Sequence, residues 1–208
     1  FPALLTAADA FLHTPTGRWD MQVRGVRSVL RILRGEPHPD DVDEALDTAR
    51  GSGFHRPHWT ALGLGALCRA LAGRGREAAA LLDELVAAWR PVGALASGEW
   101  VAAAAYAAAV TGPDAAALLR SALGEVAHRT PWAEAALHTV SAPSRPAAGY
   151  LAAAEIYAGI PDATDRVLGL ALAAGELRRA GDHTAADAVS QEVRAFAHRN
   201  QAPGLLRL

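Results

Sequence analysis

The chain has no lysine. All 20 of its Lys/Arg side chains are arginine, set against 22 aspartates and glutamates, for a net charge of −2 at pH 7. A nucleic-acid-binding domain carries a basic excess, so that class is disfavoured. Without lysine no Gly-x-x-x-x-Gly-Lys-Ser/Thr phosphate loop can form. Cysteine is almost as scarce: Cys68 stands alone. An intrachain disulfide and a cysteine-based zinc site are excluded. The helical context Ala66-Leu67-Cys68-Arg69-Ala70 marks the thiol as a small buried hydrophobe. No apolar run approaches the roughly 18 residues of a membrane span. The longest, 101–110, is short and mostly alanine. Isoleucine, phenylalanine and tyrosine are few, and nothing alternates as a strand does.

What fills the chain instead is alanine, the residue with the best helix propensity and no side-chain entropy to lose. Glycine and proline cut this material into helix-sized pieces. A short helix precedes Thr14, and others are predicted over about 18–33, 40–50, 57–71, 77–89, 97–110, 113–128, 131–139, 146–157, 162–180 and 184–198. Pro113 and Pro131 stand at helix starts, where the missing N–H has no partner to lose. The expected class is all-α, with about eleven helices. Short turns between them make successive helices antiparallel hairpins.

The hairpins recur. Leu33-Arg34-Gly35, Leu71-Ala72-Gly73, Val110-Thr111-Gly112 and Arg179-Ala180-Gly181 each end one helix and lead into alanine-rich starts of the next. The first three glycines are spaced 38 and 39 residues apart; the last follows 69 later, leaving room for a further pair over 132–157. The offsets Leu170, Ala173, Ala174, Leu177, Gly181, Ala186 return as Val101, Ala104, Ala105, Ala108, Gly112, Ala117. Leu62, Gly65, Ala66, Gly73 and Ala78 fit too, with Arg69 where a bulky apolar residue is expected. This pattern resembles the tetratricopeptide repeat, a helix–turn–helix unit of about 34 residues. The resemblance implies an array of hairpins wound as a right-handed superhelix, whose inner face binds peptide. Glu99, Tyr106, Arg178 and Arg179 then occupy inner positions and are binding candidates. The ending Glu192-Val193-Arg194-Ala195-Phe196 through Leu206 is similar to the C-terminal helical-repeat regions of large actinobacterial regulators that carry an ATPase module. That resemblance implies one helical-repeat domain over 1–208, part of a longer cytoplasmic protein.

Three clusters invite a chemical reading. His55 and His58 are three apart, but Pro57 between them leaves His55 in the loop, and no Glu stands where a His-Glu-x-x-His protease needs its base. Asp40, Asp41, Asp43 and Glu44 suggest a magnesium motif, yet acids at a helix start serve the dipole equally well. Arg24, Arg27, Arg31 and Arg34 form one stripe beside an apolar face of Val23, Val26, Val29, Leu30 and Leu33. That stripe reads as a solvated face or, through Arg31 and Arg34, as a site for a phosphate or acidic peptide. The five tryptophans, spread along the chain, read as anchors filling gaps between alanine-lined repeats.

The functional expectation is a non-catalytic interaction, sensor or scaffold domain, binding a peptide, a neighbouring domain or a second copy of itself. The alternative is a small all-α enzyme or small-molecule-binding protein using the acidic run or the histidine pair. No cofactor, nucleic acid or membrane is implied. Phe1 to Leu5 and Leu205-Leu206-Arg207-Leu208 are apolar ends, expected to fold back or to pair in a twofold homodimer. His55 and His58 lack a third ligand nearby, so tag-free protein should carry no stoichiometric divalent metal. Elemental analysis checks this, and one tightly held zinc per chain refutes it.

Overall fold

A computed structural model describes residues 2–13, 20–36, 40–92, 96, 98–141, 145–160 and 162–208, without the side chains of 20–22, 40, 41, 52 and 99. Among the described residues there are eleven α-helices and no strand. They are α1 (Pro2–Leu12), α2 (Asp20–Arg34), α3 (Asp40–Ser52), α4 (His55–Leu71), α5 (Gly75–Trp89) and α6 (Glu99–Thr111). Then follow α7 (Pro113–Gly124), α8 (Pro131–Ser141), α9 (Pro146–Gly159), α10 (Ala163–Arg179) and α11 (His183–Asn200). Short 3-10 turns cover Arg90–Val92 and Pro203–Arg207. The all-α, eleven-helix expectation is met. Most bounds agree to within two residues, and two of the differences matter. α4 starts at His55, so His55 is helical rather than in the loop; Pro57 is tolerated in a first turn, whose N–H groups have no intrahelical acceptor. α7 stops at Gly124, where a turn closes from Glu125 N–H to the Ala122 carbonyl.

Three of the four hairpin glycines close their helices with one shared hydrogen bond. The N–H after the glycine donates back across the turn: Glu36 to the Arg31 carbonyl, Arg74 to Arg69 and Asp182 to Leu177, at 2.8, 2.8 and 2.9 Å. Gly35, Gly73 and Gly181 hold φ of 83°, 75° and 83°, a backbone conformation that β-carbons resist. These three turns are therefore equivalent in local geometry; Gly112, at φ 135°, is followed by Pro113, which has no N–H to donate.

Helices pair in order: α2 with α3, α4 with α5, α6 with α7, α8 with α9, and α10 with α11. First helices also stack on one another, α2 on α4, α4 on α6 and α6 on α8. Then the progression changes. α10 lies mainly against α9 and turns back to touch α6. As a result α6 is buried on every side from Trp100 to Ala108. An alanine-rich helix of this kind is marginal unless its neighbours come close. Gly63 of α4 allows this: a β-carbon there would lie 2.6 Å from the Trp100 carbonyl. Two aromatic clusters fill the space that alanine leaves. Trp59, Trp89 and Trp100 meet with ring centroids 5.7 and 5.3 Å apart. Tyr106 meets Tyr150 and Tyr157 at 6.1 and 6.4 Å. Three tryptophans thus converge rather than serving one per hairpin; Trp132 is a partly buried neighbour of the core, and Trp19 lies outside the described residues.

The apolar C-terminal segment folds back on its own chain. Leu205 is buried, and the turn Pro203–Arg207 packs on α10, α11 and the far end of α2. Gly204 sits so close that a β-carbon would lie 2.2 Å from the Ile32 carbonyl. The Arg207 guanidinium lies over Gly35, at the carbonyl end of α2, where the helix dipole favours a cation. The last and first hairpins are joined in this way. Leu205→Ala should lower stability by roughly 2–5 kcal/mol, read by urea denaturation. An unchanged midpoint would show that the joint carries no load.

Candidate functional site

The bend of the array leaves a cavity of about 640 Å³. α1 forms its outer wall with Leu4, Ala7, Ala8 and Phe11. α2 supplies Val23, Val26, Val29 and Leu30, the apolar face opposite its arginines. The floor comes from Leu64 and Leu67 of α4, Ala103 of α6 and Leu168 of α10. Polar groups line one side only, at the start of α10: Asp162, Thr164 and Asp165. Leu4 and Val26 are exposed at the rim. The volume lies within the roughly 300–1,000 Å³ usual for small-molecule sites, and the apolar wall with few polar groups is their usual make-up.

Local sequence explains the polar side. Asp162 caps α10, one carboxylate oxygen accepting the Asp165 N–H at 3.1 Å. The Asp165 carbonyl accepts the Tyr106 hydroxyl at 2.8 Å, tying α10 to α6 behind the cavity. α1 packs chiefly on α2. Asp9 anchors it there, accepting from Arg27 at 3.0 Å with Arg31 at 3.8 Å.

The residues singled out from sequence do not converge. Tyr106 is fully buried, its ring in the tyrosine cluster and its hydroxyl committed to Asp165, so it is a core residue and faces no groove. The side chain of Glu99 lies outside the described residues. Arg178 donates to the Ser190 hydroxyl across α10 and α11, beside the folded-back tail. Arg179 pairs with Glu176 one turn earlier. Arg31 and Arg34 lie on α2, Arg31 near Asp9 and Arg34 paired with Glu36. The basic stripe of α2 is thus neither a solvated face nor an open anion site: Arg24 also reaches Glu44 at 2.7 Å. Asp9 of α1, Glu44 of α3 and Glu36 just beyond α2 occupy it.

The other two clusters are also spoken for. Asp43 receives the buried Arg69, which also donates to Glu77 at 3.3 Å. The side chains of Asp40 and Asp41 lie outside the described residues. His55 stacks on Trp59, and His58 lies 3.3 Å from Glu84. Arg50 forks onto Glu84 and holds that carboxyl below the usual carboxylate range. Among the described residues no three His, Cys, Asp or Glu side chains gather as a metal site. None of their helices is long and apolar enough to cross a membrane.

The molecule is thus an all-α array of helix hairpins with a large, half-open apolar cavity lined by described residues. No family model, curated protein or solved structure matches the chain.

Tyr106, Tyr150 and Tyr157 are all the tyrosines of the chain. Burial pushes each hydroxyl well above its ordinary pKa, with Asp165 and Asp162 adding to this at Tyr106 and Tyr157. The unfolded chain releases these protons near pH 10; the folded one keeps them. Their contribution to stability is therefore intact below about pH 10 and falls as pH rises past it. Alkaline titration should show no tyrosinate absorbance until helical circular dichroism collapses, and then the whole change at once. A tyrosine titrating normally in the folded protein would contradict the buried cluster.

Proposed function

We propose that this chain is a non-catalytic ligand-binding domain, acting as the sensor or scaffold part of a multidomain cytoplasmic regulator. The observation that carries this reading is the cavity between α1, α2, α4, α6 and α10. Its wall is apolar except at Asp162, Thr164 and Asp165, of which Asp162 is spent on capping α10, and among the described residues no histidine, cysteine or arginine lines it. Such a wall binds by excluding water and offers little for acid–base or nucleophilic chemistry. The equivalent turns at Gly35, Gly73 and Gly181 support the tetratricopeptide-like character on which the regulator reading rests. A peptide groove has less support, since Tyr106 is buried in the core and Arg178 and Arg179 are engaged by Ser190 and Glu176. A catalytic role for the acidic run or the histidine pair has less again, because Asp43, Glu44 and His58 face arginines and Glu84 outside the cavity.

Because α1 is fixed chiefly to α2, its movement offers a means of converting occupancy into a signal. Nile red, an uncharged apolar dye, should bind with enhanced fluorescence. Ala7→Trp, filling the cavity from the exposed outer helix, should weaken binding by at least about tenfold while leaving helical content unchanged. Binding that ignores this substitution would place the dye elsewhere and overturn the reading.

A further inference from the structure

The walls of the cavity differ in how firmly they are held. α2 packs on α3, α4 and the C-terminal turn, α4 on α5 and α6, α6 on α8, and α10 on α9 and α11. α1 packs chiefly on α2. Yet α1 supplies Leu4, Ala7, Ala8 and Phe11 to the cavity. Only two of its described residues, Leu5 and Ala8, are buried. An element with so few buried apolar contacts opens before the rest of a fold does. Resting on the ligand-binding reading above, we infer that α1 is a lid over the cavity and that the pairing of Asp9 with Arg27 and Arg31 is its latch, which sets how fast a ligand enters and leaves. Asp9 is the one charged residue of α1. Its carboxylate accepts from Arg27 at 3.0 Å and lies 3.8 Å from Arg31. Both guanidiniums are mostly covered, while the carboxylate is half-exposed. Water and ions therefore reach the anionic side of the latch and can release it. Asp9, Arg27 and Arg31 do not line the cavity, so opening the latch removes no contact with a ligand. Leu5 is buried but does not line the cavity either, and it is the apolar part of the same seating. Swinging α1 away bares Val23, Val26, Val29 and Leu30 of α2. A ligand lying on those side chains covers them again and favours closure.

The test is stopped-flow mixing of Nile red with the full chain, which reads association and dissociation rate constants separately. Asp9→Asn should raise both constants about two- to fivefold, with Kd moving by less than about twofold. Both rise together because the dye enters and leaves through the same opening. The dye is uncharged, so its encounter with the protein has no salt dependence of its own. Raising the salt from about 0.01 M to about 1 M shortens the Debye length from about 30 Å to about 3 Å. That change should speed both constants in the wild-type chain and leave Asp9→Asn unmoved. Leu5→Ala loosens the same helix without touching a charge; it should speed both constants and keep the salt response. Circular dichroism and melting curves verify that each variant folds, and the wild-type salt response tests the latch without any substitution. Faster dissociation alone would make α1 a fixed wall, and unchanged rates would mean that ligands enter by the open mouth. Either result overturns the lid and leaves the cavity reading standing. Absence of dye binding to the wild-type chain, or binding that ignores Ala7→Trp, overturns both.

Discussion

Everything in this fold depends on how closely α4 and α6 approach. Their contact is the most extensive between any two helices of the described residues. Beside the Trp59–Trp100 contact it rests largely on small residues, so the helix axes must come near each other to bury apolar area. Gly63 permits that distance by letting the Trp100 carbonyl occupy the place of a side chain. Once α6 is held there, its remaining faces also need cover, and α8 and α10 provide it. The tyrosine and tryptophan clusters follow from the same constraint. Alanine cannot reach across the wider gaps where helices diverge, and rings can. Where helices diverge and no ring fills the gap, between α1 and the rest, the cavity remains.

The arginines act as ties between successive helices more than as a surface charge. Arg24 links α2 to α3, Arg50 links α3 to α5, Arg69 links α4 to α3 and α5, and Arg166 links α10 to α11. Most of these pairs are partly exposed, and each adds little stability by itself. Their use is registry, since a guanidinium fork fixes both the distance and the angle between two helices. Arg69 is the extreme case, at 5 % exposure. It stands where the repeat pattern expects a bulky apolar residue, and it answers that expectation with its stem packed inside and its head on two carboxylates.

What could be read from sequence was what local geometry decides. Helix bounds and glycine turns were legible because proline, glycine and caps act over a few residues. The apolar face of α2 was legible too, and four of its residues do line the cavity. Tyr106 was not. Its register on an alanine helix is the same whether that face looks into a groove or into a core, and only the return of α10 decides between them. The arginine stripe misled for a related reason: three, four and three spacing describes one helix, while the acids that cover it come from Asp9 and Glu44 on two others. Asp162 was legible only as the start of the helix over about 162–180, and the place of Asp162 and Asp165 on the cavity depends on α1, which has no repeat partner to position it.

The seating of Leu205 and Gly204 against α2 changes how such a chain acquires its structure. Stacked hairpins ordinarily condense with near neighbours and can do so one after another as they leave the ribosome. Here residues 32–35 wait for residues 204–207. That contact spans most of the polypeptide and raises the loop entropy to be overcome before it forms. The opening hairpin therefore stays provisional until synthesis has reached the tail. The assembled molecule then behaves as one cooperative ring, unlike an open array whose ends can fray independently.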